Sequence, residues 1–262
     1  MIPTNYILDW RRAVPWTGSQ VEQDLVLCRA LVALYQHPLL AEQLAFRGGT
    51  AMHKLVFSPP ARYSEDLDFV QRDAGPIGPM MNAVRTQLDP WLGKPKYAQT
   101  DGRATFIYRF MSEMPPVAPL RLKVEINTRE HTSEQGLVRR PFAVESPWFA
   151  GTADILTYSA DELFASKVRA LYQRKKGRDL FDLWLALSQR LIDARIVIAC
   201  FQRLLAGDGL KVSKADVIAN LVAKLIMPAF RCDIEPLISP DIEYRVEDAY
   251  QVVRTELLEL LP

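Results

Sequence analysis

The chain is poor in the residues that most often declare a function. Of its 262 residues only three are cysteine and three histidine, and Cys28, Cys200 and Cys232 lie far apart. No pair has zinc-ligand spacing and the number is odd, so neither a structural zinc site nor a disulfide framework is expected. The three read as reduced core thiols. No charge of one sign dominates: 32 Lys and Arg stand against 31 Asp and Glu, a net charge of +1. Bulk electrostatics therefore argue neither for nor against a nucleic-acid partner, and only local clustering can do so. No stretch of about 18 uninterrupted apolar residues occurs, so no membrane span is expected. The opening Met1-Ile2-Pro3-Thr4-Asn5-Tyr6 lacks a basic stretch followed by an apolar one. A secretory leader is not expected, and the expected location is the cytoplasm. Internal repeats and low-complexity tracts are missing as well.

What is present is an ordinary globular composition, 49% hydrophobic and 24% charged, at a length suited to one large domain or two modest ones. Helical spacing of Val21, Leu25, Cys28, Leu31, Val32 and Tyr35 predicts an amphipathic helix over residues 20–37 that opens the fold. A strand-like run reaches Arg47, Gly48-Gly49 follows, and residues 50–57 read as a short helix. Ser58-Pro59-Pro60 ends it, because proline cannot continue a helix and restrains the residue before it. Residues 66–70 alternate as a strand, and residues 80–91 read as a helix. Two β-like runs come next, at 105–111 and 120–128. In the second, Leu120, Leu122, Val124 and Ile126 share one face while Lys123, Glu125 and Asn127 share the other. Residues 155–158 predict one more short strand, with Arg139-Arg140 before it read as a surface charge pair.

After Tyr158 the pattern turns helical, over residues 159–173, 179–190, 192–205, 214–228 and 242–261, with Ser159 and Glu162 spaced as a capping box. The expected architecture is α/β (α+β): a mixed-sheet domain over residues 1–158 with an N-terminal helix, then an all-helical domain over residues 159–262.

The residues that carry chemistry are few. Asp66 and Asp68 are two apart on a predicted strand, so both carboxylates point to one face. Aspartate is disfavoured in strands and costly to bury as a charge, and two on one face repel. A bound Mg²⁺, which takes hard oxygen ligands and couples to phosphates, resolves the conflict. A third carboxylate would complete a two-metal site for in-line phosphoryl displacement, and Glu125 is the best candidate, as ligand or as base. Gly48-Gly49-Thr50, between a strand and a helix, lets backbone approach a ligand, offers N–H groups to an anion and adds a hydroxyl. Read alone, the glycine turn is more often a plain tight turn. Arg62 and Tyr63 before the acidic strand read equally as loop packing or as nucleotide neighbours. Arg174-Lys175-Lys176 with Arg178 reads as a solvated turn with Gly177 as a C-cap, or as a phosphate-contacting patch. His37 and His53 have no metal-ligand neighbour in sequence.

In combination these features are more specific. Strand, Gly-Gly-Thr, helix, Asp-x-Asp, then a carboxylate on a later strand resembles the polymerase-β-like nucleotidyltransferases. Phe46-Arg47-Gly48-Gly49-Thr50-Ala51 with Tyr63-Ser64-Glu65-Asp66-Leu67-Asp68 is similar to the AbiEii/AbiGii toxin family and its MenT relatives. Lys167-Val168-Arg169-Ala170-Leu171 and Arg178-Asp179-Leu180-Phe181-Asp182-Leu183 resemble two further motifs of those toxins. The resemblance spans roughly residues 40 to 185; relatives often carry Asp where Glu125 stands. It implies a polymerase-β-like core whose site the helical domain completes. Asp66, Asp68 and Glu125 would hold Mg²⁺ (or Mn²⁺), and Gly48, Gly49, Thr50, Lys167, Arg178 and Asp182 would contact the nucleotide. Lys167 and Asp179 would join the carboxylates as catalytic residues. It further implies a toxin of a toxin–antitoxin or phage-defence system that moves a nucleoside monophosphate from an NTP to RNA, the tRNA 3′ end in MenT-like members. A cognate antitoxin would be its protein partner. Transfer to a small molecule of the antibiotic type, transfer to a protein hydroxyl, and non-catalytic nucleotide or RNA binding are the alternatives.

Overall fold

A computed structural model describes residues 2–262 apart from 13, 17 and 208. The chain divides into two compact units, one of Met1–Thr132 with Leu137–Tyr158 and one of Ser133–Gly136 with Ser159–Pro262.

The first unit runs α1 (Thr4–Trp10), α2 (Ser19–Gln36), α3 (Pro38–Gln43), β1 (Leu44–Arg47), α4 (Gly48–Leu55), β2 (Asp66–Gln71) and α5 (Gly78–Leu92). It continues through β3 (Lys96–Thr100), β4 (Arg103–Met111), β5 (Pro119–Asn127), β6 (Val138–Glu145) and β7 (Ala150–Thr157). The seven strands form one mixed sheet in the order β3-β4-β5-β2-β1-β7-β6. The β1–β7 and β2–β5 pairs are parallel and the others antiparallel. The alternation in β5 does what its pattern requires: Leu120, Leu122, Val124 and Ile126 are buried, beside Ala104, Phe106 and Tyr108 of β4. Helices α2 and α5 pack on these two strands.

Two strands were not expected. β3 is a five-residue edge strand with every residue exposed, so neither face carries an apolar pattern. β6 is the opposite edge and contains Pro141, which a sheet edge accommodates because its missing N–H faces away from a partner. Arg139 and Arg140 lie exposed on it, the surface placement expected. β7 is longer than the predicted segment because only Ile155, Leu156 and Thr157 of it, at its C-terminal end, are buried.

The helix predicted to open the fold is preceded by α1, and it is not simply amphipathic. At its start Glu22, Gln23 and Asp24 are all buried. Each has a partner, as buried polar groups require. Glu22 accepts the Glu113 N–H (2.9 Å), Gln23 donates to the Arg121 carbonyl (2.8 Å), and Asp24 pairs with Lys54 (2.5 Å). Of the cysteines, Cys28 and Cys200 are buried free thiols, as expected. Cys232 is exposed, which corrects its assignment to the core.

The second unit is helical: α6 (Ala160–Gln173), α7 (Gly177–Ser188), α8 (Ala194–Gly207), α9 (Lys214–Leu225), α10 (Pro228–Arg231) and α11 (Val246–Glu256). Ser159 caps α6 by accepting the Glu162 N–H (3.2 Å). The reciprocal half of the expected box does not form. Instead the Glu162 carboxylate accepts from Ser133 Oγ (2.7 Å), Glu134 N–H (2.8 Å) and Gln135 N–H (3.3 Å), three donors that bind residues 133–136 to this unit. Gly177 is not a C-cap. It is the first residue of α7, where a Cβ would lie 2.0 Å from the Phe230 carbonyl oxygen, so nothing larger fits. No described helix is long and apolar enough to cross a membrane.

Candidate active site

The site of the first unit is built where β1 ends. Gly48 opens α4 with φ of +80°, a conformation that costs a side-chain-bearing residue but not glycine. β1 and β2 are antiparallel with Arg47 opposite Asp68, so the turn after Arg47 folds back against that aspartate. A Cβ on Gly48 would sit 2.7 Å from Asp68 Oδ2. The strand of carboxylates and the first turn of α4 are thus in direct contact. Over Gly49 lies the Arg62 guanidinium.

Thr50 is buried, and its hydroxyl is engaged within the protein. It donates to the Asp66 carbonyl (2.5 Å) and lies 2.8 Å from Ser64 Oγ. Its side chain therefore ties α4 to the start of β2. Arg62 and Tyr63 are buried too; Arg62 donates to the Tyr63 carbonyl (3.0 Å), and Tyr63 packs edge-on to Trp16. Both side chains thus take part in the packing of this loop, and the Arg62 guanidinium also borders the glycine turn. At the far end of α4, Lys54 makes a buried ion pair with Asp24, which also accepts from Trp10 Nε1 (3.0 Å). Burial and Asp24 push the neighbouring Cys28 thiol up to about 12, so it is an inert core group.

Asp66 and Asp68 share a face of β2, both half-buried. β5 pairs with β2 in parallel, placing Lys123 opposite Asp66 and Glu125 opposite Asp68. Burial, then the neighbouring Asp68, push the Asp66 carboxyl up to about 6, with Lys123 opposing the shift. Glu125 thus stands on the strand and face expected of it, but its carboxylate is directed to Lys123 (2.7 Å) and Arg103 (3.2 Å). Among the described residues no group of three or more His, Cys, Asp or Glu side chains is placed to hold a metal ion. The mutually repelling Asp66–Asp68 pair, with Gly48 leaving space beside it, is the part of the set that fits a divalent cation.

Sequence reasoning passed over Lys123, whose ammonium lies 3.9 Å from Asp66 as well as against Glu125. Its signal was present, since alternation puts it on the face of Glu125.

In the second unit the structure gathers the other motif residues into a buried charge cluster. Lys167 on α6 bonds to Asp179 (3.1 Å) and Asp182 (3.0 Å) on α7; all three are almost wholly buried. Arg174 closes on Asp179 from the side through both Nε (2.6 Å) and Nη2 (2.7 Å). Arg178 makes a forked pair with Asp233 (2.9 and 3.1 Å), which Lys176 also reaches (3.3 Å). Three of the four cations read as a patch are thus matched to acids within their own unit. Lys224 of α9 donates to the carbonyls of Leu171 and Tyr172 at the end of α6, and burial lowers its pKa to about 8.

A glycine turn pressed against an Asp-x-Asp strand in a mixed sheet is the arrangement of a nucleotidyltransferase, and solved structures bear out the fold. A candidate nucleotidyltransferase from H. pylori superposes with a TM-score of 0.58 at 15% identity, covering 94% of this chain and 96% of that one. MenT4, a nucleotidyltransferase toxin from Mycobacterium tuberculosis H37Rv, gives 0.57 at 17% identity, with 92% and 84% covered. JHP933 from Helicobacter pylori gives 0.55 at 14% identity, with 93% and 92% covered. No curated protein sequence matches the chain. A family model described as nucleotidyl transferase AbiEii toxin, type IV TA system, matches residues 29–252. The chain belongs to that family: it is an AbiEii-type nucleotidyltransferase toxin of a type IV toxin–antitoxin system, as the motifs implied. That membership carries with it a nucleotide substrate and an antitoxin counterpart.

Proposed function

We propose that the enzyme transfers a nucleoside monophosphate from an NTP to RNA, at the 3′ end of tRNA, and releases pyrophosphate. The observation that carries this reading is the contact between Gly48 and Asp68, which sets an anion-accepting helix start beside two half-buried carboxylates on one face. In the reaction the 3′ hydroxyl oxygen bonds to the α-phosphorus, the bond from that phosphorus to the β-bridging oxygen breaks, and pyrophosphate departs.

Each residue has a part that follows from its position. Asp66 and Asp68 hold Mg²⁺, which when bound neutralises charge on the phosphates and the leaving oxygen. The N–H groups at the start of α4 orient the phosphate tail, as helix N-termini do for anions. Thr50 keeps α4 and β2 in register through the Asp66 carbonyl. Glu125, which pairs opposite Asp68, would serve as a further ligand or as the base that receives the proton of the attacking hydroxyl. Lys123 limits the repulsion among the carboxylates before substrate binds.

The test is incubation with each α-labelled NTP in turn, with purified tRNA and with total RNA, Mg²⁺ present or chelated. Label is expected in tRNA, lost on chelation and lost in Asp68→Ala. Label confined to a small molecule or to protein after nuclease treatment defeats the RNA reading. Full activity and growth inhibition in Asp68→Ala defeat the catalytic one.

A further inference from the structure

Over β4 and β5 one face of the sheet is covered and the other is open. On β4 and β5 the covered positions are Ala104, Phe106, Tyr108, Leu122, Val124 and Ile126, all buried. The alternate positions fall on the face that presents Asp66 and Asp68, since Lys123 and Glu125 pair with those two in register. Moving outward along that face, Arg121 lies directly opposite Arg109, and Lys123 opposite Ile107, which is in turn opposite Lys96 of β3. Lys96, Arg109 and Arg121 are exposed and Lys123 is partly so. Four cations therefore stand together on the open face, beginning at the strand next to the carboxylates.

Two aspects of this arrangement ask for an anion. Like charges directly opposite one another in an antiparallel pair destabilise a sheet, and Arg109–Arg121 is such a pair. Their neutralisation within the protein is slight: Arg121 reaches Glu65 at 3.7 Å with both side chains exposed, and no ion pair of Arg109 occurs among the described residues. A net charge of +1 over the whole chain does not by itself call for such a patch. Strand spacing of about 4.8 Å puts the Arg109 row on the order of 10 Å from β2, within one or two nucleotides of the reacting end. A partner that must deliver a hydroxyl to Asp66 and Asp68 and that carries a regular row of negative charge satisfies both aspects.

Resting on the RNA reading above, we propose that Lys96, Arg109, Arg121 and Lys123 form the track for the acceptor's phosphodiester backbone. The open face of β3-β4-β5 thereby sets the approach of the 3′ end. The contact is electrostatic and sequence-independent, so it contributes affinity and orientation and leaves the choice of base to the nucleotide pocket.

The experiment compares the full chain with Arg109→Glu, Arg109→Lys and the double variant Arg109→Glu/Arg121→Glu. It measures tRNA affinity from 50 to about 300 mM salt, label transfer to tRNA, and binding of Mg²⁺–NTP alone. Each lost phosphate contact lowers the slope of log affinity against log salt by about 0.7–0.9. The double variant is expected to flatten the slope by about 1.5, weaken tRNA binding more than ~10-fold at low salt and raise the KM for tRNA. Mg²⁺–NTP affinity is expected to stay at the parent value, and Arg109→Lys to retain most tRNA binding. If the parent labels tRNA and the double variant matches it in affinity, slope and KM, the track is wrong and the transferase reading stands. If the variant loses only binding to an acidic protein partner, the track is likewise wrong. If the parent labels no RNA at all, the RNA reading fails and the track fails with it.

Discussion

Gly48 lies against Asp68 so closely that a single added methyl group would come within 2.7 Å of the carboxylate oxygen. Gly48→Ala adds that methyl group and also forces a side-chain-bearing residue to φ of +80°. The backbone cost is about 1–3 kcal/mol. The larger effect is expected on activity, because the carboxylate must move away from the helix start. Label transfer should fall by more than ~10²-fold, as misplacement of a reacting group by about 1 Å does. Thermal unfolding and initial rates measured on the same preparation check both parts.

The raised pKa of Asp66 makes a pH prediction whose sign can be worked out. Its folded-state value of about 6 lies above the ordinary carboxylate value of 3.8, so the folded protein holds this proton more tightly than the unfolded chain does. In metal-free protein this group's contribution to stability is therefore lost as pH rises from about 4 to about 6. A divalent cation reverses the penalty, since it binds the ionised form. Melting temperature with and without Mg²⁺ is expected to differ clearly at pH 7.5 and hardly at pH 5. Equal Mg²⁺-induced shifts at both values would show that Asp66 does not hold the cation.

The buried cluster of the helical unit predicts a stability effect. Lys167 lies between Asp179 and Asp182, and neither acid has appreciable exposure. Lys167→Ala leaves two carboxylates buried with one cation fewer, which costs about 3–5 kcal/mol. Denaturant unfolding followed by circular dichroism measures it. A variant that unfolds at the parent midpoint would show that the cluster is not a support of this unit.

Gly177→Ala is expected to destabilise the same unit for a different reason. The added methyl group meets a backbone carbonyl, that of Phe230, which cannot rotate aside as a side chain can. Overpacking of this kind costs about 1–3 kcal/mol, with this contact at the upper end. The same unfolding measurement applies, and Gly78→Ala, at the first residue of α5 with nothing within 4 Å of the added methyl group, is the control.

Much of this was legible from residue order. The alternation through β5 was clean because one face is buried and the other is not, so its faces were correctly read and its boundaries fell within one residue. β3 was illegible because all of its residues are exposed and no periodicity survives. Gly177 was misread because a glycine after a basic turn looks like a helix end. Only the approach of Phe230, 53 positions later, reveals a packing constraint. The Glu162 carboxylate left its capping role for the same kind of reason, since three donors from residues 133–136 outcompete one.

The sequence by itself determined the local pieces and the family: a glycine turn, two carboxylates on one strand face, and the change to helices after Tyr158. Those depend on backbone sterics and side-chain period, which act over a few residues. Only the tertiary structure decided which strand stands beside Asp66 and Asp68. The β2–β5 pairing puts Glu125 opposite Asp68, brings Lys123 in with it and sets Arg121 across from Arg109. It also decided that Lys167 lies between two buried acids of the next helix. Such pairings are fixed by the burial of whole faces and the matching of charges between distant segments. A local pattern records that a partner is needed and does not record which one.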